Sequence, residues 1–134
     1  MNMVGWVVFT IAGERINPDV ISHELSLTPD RVIYPQPSNR YKTVWQLNSL
    51  LPSDESIERH IWNILARLLP VRNRLKKYQQ DAELEFYCSV KKNHNASDVL
   101  MFSPRLLLLA GSLGAGITTD FDVILPETKS IVET

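Results

Sequence analysis

The chain has 134 residues, 44% of them hydrophobic, with 14 basic against 15 acidic side chains, which suits one globular domain with one core. A formal net charge of -1 excludes the strong positive field by which nucleic acid or an anionic membrane is bound. One cysteine, Cys88, excludes an internal disulfide and a multi-cysteine zinc site and points to a reducing compartment.

Val4 to Ala12 is β-branched and aromatic, with Gly5, Val7, Phe9 and Ile11 on one face and Trp6, Val8 and Thr10 on the other. Both faces are apolar, as in a central strand covered on each side or one that meets a partner. The segment lacks a basic n-region and a small-residue cleavage site, so it reads as a strand and not as a signal peptide. No run reaches the roughly 20 apolar residues of a membrane helix, and a soluble cytoplasmic protein is the expectation. Asn17 followed by Pro18 is a helix start, cap then first-turn proline, and the helix should reach Leu25, burying Val20, Ile21 and Leu25. Arg31 to Tyr34 reads as a short edge strand, PQPSNRYK (35–42) as the tip of a long hairpin, and Thr43 to Asn48 as its return, with Trp45 and Leu47 on one face.

From 53 to 79 the apolar residues Ile57, Ile61, Ile64, Leu65, Leu68, Val71, Leu75 and Tyr78 recur at spacings of three and four, an amphipathic helix with one buried stripe. Ser53 or Asp54 is the expected N-cap, and Pro70, without an N–H for the Ala66 carbonyl, should kink the helix. Ala82 to Lys92 alternates Leu84, Phe86, Cys88 and Val90 against Glu83, Glu85, Tyr87, Ser89 and Lys91, a strand with one dry and one wet face. Residues 92–98 read as a loop. Ser103 and Pro104 open a helix with Leu106 to Leu109 as its body, and Gly111 and Gly114 suit its end. The last strand, Gly116 to Leu125, alternates Ile117, Thr119, Phe121, Val123 and Leu125 against Thr118, Asp120, Asp122 and Ile124. Pro126 closes it before a loose tail from about residue 127.

The order is β-α-β-β-α-β followed by α-β. This predicts an α+β fold: a ferredoxin-like βαββαβ core with an added C-terminal α-β unit, a mostly antiparallel sheet, and helices on one face.

The chain resembles a family of small bacterial proteins known as domain of unknown function 4279. The features that carry the resemblance are Gly13-Glu14 after the first strand, Asn17-Pro18, Leu27-Thr28-Pro29-Asp30-Arg31, and Trp45 followed by a long helix ending near Leu69-Pro70. Further on come Phe102-Ser103-Pro104, Leu113-Gly114-Ala115, and a final strand carrying Asp120 and Asp122. Where the family has a glycine in the hairpin before the tryptophan, this chain has PQPSNRYK. The resemblance implies an α+β fold and no assigned activity.

Glu14 and Arg31 can meet beside Trp45, where an arginine fork would grip an anion or carboxylate; the plainer reading is an ion pair fastening the first turn to the hairpin. Asp120 and Asp122, about 7 Å apart on one strand face, suit a metal or an acid–base pair, and a solvent-facing acidic strip explains them equally well. His23, His60 and His94 belong to three elements with no ligand spacing and read as surface or helix-flank residues. Cys88 falls on an inward face and reads as a small core hydrophobe. The glycines of residues 111–116 follow a helix and open a strand, the reverse of a phosphate loop. No catalytic residue, metal site or cofactor is implied.

Surfaces remain. Trp6 and Val8 lie on the face opposite Val7 and Phe9, and Trp62 lies off the main helical stripe; exposed tryptophans are enriched where proteins bind. The expectation is a non-enzymatic protein-interaction module, accessory or immunity-type, acting on a protein partner or on itself. A small-ligand sensor using Glu14, Arg31 and Trp45, and an enzyme with a carboxylate-based site, are the alternatives.

Overall fold

Strand β1 (Met3–Gly13) sends Val7, Phe9 and Ile11 inward and Trp6, Val8 and Thr10 outward. The computed structural model describes residues 3–93 and 99–124. Around β1 the chain builds α1 (Pro18–Leu25), β2 (Arg31–Ile33), β3 (Thr43–Asn48), α2 (Ile57–Leu68), the single turn α3 (Arg72–Leu75), β4 (Glu83–Asn93), α4 (Pro104–Ser112) and β5 (Ala115–Ile124). The fold is α+β, with a five-stranded mixed sheet in the order β2-β3-β1-β4-β5. Every pairing is antiparallel except that of β4 with β5, so the sheet is mostly antiparallel. The parallel pair follows from the α4 crossover that separates its strands.

Caps and alternation explain the local structure. The Asn17 side chain accepts from the N–H groups of Asp19 and Val20, and Ser103 Oγ accepts from that of Leu106, each with a proline in the first turn. Gly114, at φ 75°, takes the left-handed conformation that ends α4 and turns the chain into β5. On α1 the inner line is Ile21 and Leu25, four apart; Val20, expected in the core, lies a third of a turn away and is nearly half exposed.

The long helix is segmented. Its cap is Ser56, whose hydroxyl accepts from the Arg59 N–H. It is not Ser53 or Asp54, because the Ser53 carbonyl is taken by the Gly5 N–H at 2.9 Å, which ties this loop to β1. At Pro70 the rod does not simply kink: Leu69–Val71 tightens into a 3-10 turn, α3 follows, and Lys76–Gln79 is 3-10 again. The stripe still runs through, with Ile57, Ile61, Ile64, Leu65, Leu68, Leu75 and Tyr78 buried. It packs on Phe9, Ile11, Trp45, Leu47, Phe86 and Val90 in one core, where Phe9 and Phe86 meet at 5.1 Å between ring centroids. The end of the last expected strand at Leu125, Pro126, the tail and His94 lie outside the described residues.

Candidate functional site

The side chains that point away from the core form a second face of the sheet. Register aligns Asn48, Val8, Tyr87 and Thr118 across it in one row, and Trp6, Ser89 and Asp120 in the next. No helix among the described residues lies over it. Trp6 is 46% exposed, and the Lys91 ammonium sits 5.6 Å from its ring centroid. Toward β5 the face turns acidic and ordered. Tyr87 donates to Asp120 at 2.7 Å, a bond that raises the phenol pKa, and Thr118 donates to Glu85 at 2.6 Å. Lys42 pairs with Glu83, but Glu85, Asp120 and Asp122 form no ion pair among the described residues.

Where β3 stops at Asn48, β1 continues, and a notch of about 250 Å³ opens beside Trp6, Val8, Gln46, Asn48 and Ser49, ending on His60. His60 is fully buried, contrary to the surface position expected for it, because residue 60 falls within the same inner arc of α2 as Ile57, Ile61 and Ile64. Ser49 Oγ lies 2.6 Å from His60 Nδ1 and also accepts from the Leu51 N–H. Nε2 has no hydrogen-bond partner among the described residues. Burial lowers the imidazole pKa below 6.5, opposed by the Pro52 and Glu55 carbonyls and by the Glu55 carboxylate, and the ring is neutral. Alongside, Arg67 donates to the Asn48 carbonyl at 2.6 Å and to Asn63, whose side chain accepts from the Leu50 N–H.

A serine hydroxyl within hydrogen-bond reach of a neutral imidazole is the arrangement of a nucleophile–base pair. The N–H of Leu50 is committed to Asn63 and that of Leu51 to Ser49 itself, so neither is available to receive an oxyanion. The pair fastens the β3–α2 loop and forms the floor of the notch.

The other expected residues are dispersed. Arg31 pairs with Gln46 on the open face, whereas Trp45 points to the opposite face and is fully buried, its indole donating to Ser22 of α1 at 3.0 Å. Glu14 follows the far end of β1, lining an open bowl of about 420 Å³ with Arg15, Lys42 and Asp81, and no ion pair joins it to Arg31 among the described residues. The structure does not bring Glu14, Arg31 and Trp45 together. Trp62, expected exposed, is half-buried; its indole donates to Glu58, which also accepts from the Ser103 N–H, and the Arg105 guanidinium lies 6.0 Å from its ring. Trp6 and Val8 share the open face and the notch. Asp120 and Asp122 share that face too, and among the described residues no three potential ligands cluster for a metal. Cys88 is buried, and burial pushes its thiol pKa up to about 11. The Ser49–His60 pair escaped the sequence reading, although His60 stands within the apolar stripe itself, and that position was its signal.

A family model described as "Domain of unknown function (DUF4279)" matches residues 2–123. No curated protein and no solved structure matches the chain.

Proposed function

The chain belongs to the family described as a domain of unknown function (DUF4279), and from that premise we propose that it is a protein-interaction module that docks its partner on the open face of the sheet. The observation that carries this reading is Trp6, an exposed tryptophan on the central strand beside a notch, on a face that no described helix covers. The chemistry of the face describes the partner: an apolar or aromatic side chain for the notch, flanked by basic residues for the row of Glu85, Asp120 and Asp122. The hydrogen bonds from Tyr87 to Asp120 and from Thr118 to Glu85 hold these two carboxylates in place before a partner arrives, which reduces the ordering cost of docking.

Two finer statements belong to this reading. The first six elements follow the ferredoxin-like plan, supported by the order β2-β3-β1-β4 and the antiparallel pairings within it. The setting is a reducing compartment, the cytoplasm, supported by the single, buried cysteine. No helix among the described residues is long and apolar enough to cross a membrane.

The test compares tagged wild type with Trp6→Ala, with the double variant Glu85→Gln/Asp120→Asn, and with Leu108→Ser on the opposite side of the molecule, each used to capture proteins from lysate of the source organism. The reading requires one near-stoichiometric protein that Leu108→Ser retains and both open-face variants lose. A partner held equally by all four proteins contradicts it.

A further inference from the structure

We infer that the outer edge of the molecule, β5 with the overhanging flank of α4, is the seat of a second copy of this chain, joined about a two-fold axis that passes beside Thr119. Among the described residues β5 is paired only with β4, so one side of its backbone keeps unfilled donors and acceptors. Above it, α4 buries Leu106, Ala110 and Leu113 and turns Arg105 toward Trp62 of α2. At 100° per residue, Leu107 and Gly111 then occupy the flank away from α2, over the free edge. Leu107 is 50% and Leu108 72% exposed, and a methyl group added at Gly111 would meet nothing within 4 Å.

The strand is complementary to itself in one antiparallel register. With Thr119 opposite its own copy, Ile117 faces Phe121 of the second copy on the helix side of the sheet, and the 49% exposed Phe121 ring is covered twice by symmetry. On the open face Asp120 then stands opposite Thr118 and Asp122 opposite Gly116, which has no side chain. Acidic residues on an edge strand ordinarily guard it against pairing. Here they narrow the register: centring the axis on Asp120 would oppose Asp120 to itself, and on Phe121 would oppose Asp120 to Asp122, while centring it on Thr118 keeps the acids apart but opposes Ile117 to Thr119 and Phe121 to Ala115 and so loses the Ile117–Phe121 contact. The assembly is independent of the docking reading above, and it would join two open faces into one continuous sheet surface.

Sedimentation velocity over a concentration series, with a cysteine cross-link, tests this. Thr119→Cys is made in a Cys88→Ser background, because Cys88 neighbours Thr119 in the sheet and would capture the new thiol. Residues opposed across an antiparallel pair lie about 4.5 or 5.5 Å apart at Cα, within disulfide reach. The expected result is a concentration-dependent wild-type dimer and a covalent dimer of the cysteine variant on mild oxidation. Phe121→Lys and Leu107→Lys, at exposed positions where the fold is kept and checked by circular dichroism, should each raise the dimer dissociation constant at least about tenfold. A wild type that stays monomeric to its solubility limit, or a dimer that both lysine variants leave intact, overturns the proposal.

Discussion

Ser49 of the β3–α2 loop and His60 of α2 are joined by a 2.6 Å hydrogen bond that anchors the loop to the core at the floor of the notch. Replacing Ser49 by alanine leaves the buried Nδ1 without its hydrogen-bond partner, in a ring whose Nε2 has none among the described residues. Ser49→Ala should lower stability by about 1–3 kcal/mol in urea denaturation, the cost of an unsatisfied buried polar atom.

The same ring sets a pH dependence. Its folded-state pKa is held below 6.5 by burial, so as the pH falls through about 6.5 the unfolded chain takes up this proton before the folded one does. The stability contributed by a neutral His60 is full above that pH and declines below it, toward the folded pKa. Denaturation curves between about pH 7 and pH 5 should therefore show a loss that His60→Leu removes.

Two tryptophans of one sheet should respond in opposite ways. Trp45, fully buried and bonded to Ser22, should cost about 3–5 kcal/mol on replacement by alanine. Trp6, 46% exposed, should cost less than about 1 kcal/mol. Partner capture should show the reverse order of importance, once each variant is confirmed folded.

Cys88, buried with its thiol pKa pushed up to about 11, should resist alkylation in native buffer near pH 8 and react only as fast as the chain opens. Mass spectrometry of the modified protein against time, with and without denaturant, checks this.

Local chemistry is what made the elements readable. Asn17-Pro18 and Ser103-Pro104 announced their helices, and Leu84, Phe86, Cys88 and Val90 announced the buried face of β4, because caps and alternation act over a few residues. The cap of α2 lies at Ser56 and not at Ser53 or Asp54: all three are competent in sequence, and the Ser53 carbonyl is taken by the Gly5 N–H of a distant strand. The site needed pairing information that no local window contains. The register of Arg31 with Gln46 separates Arg31 from Trp45, and the early end of β3 opens the notch and brings Ser49 to His60. Trp6 and Val8 were visible at once, since alternation alone places them opposite Val7 and Phe9.

The most direct test of the open face as the functional surface is a heteronuclear NMR spectrum of labelled protein placed in lysate of the source organism, compared with the same protein in buffer. Selective broadening of the Trp6 indole and of the amides of Val8, Thr10, Gln46 and Tyr87 is the predicted result, with α1 unaffected. Broadening confined to the α1 side, or none at all with the protein folded and the lysate active, would contradict it.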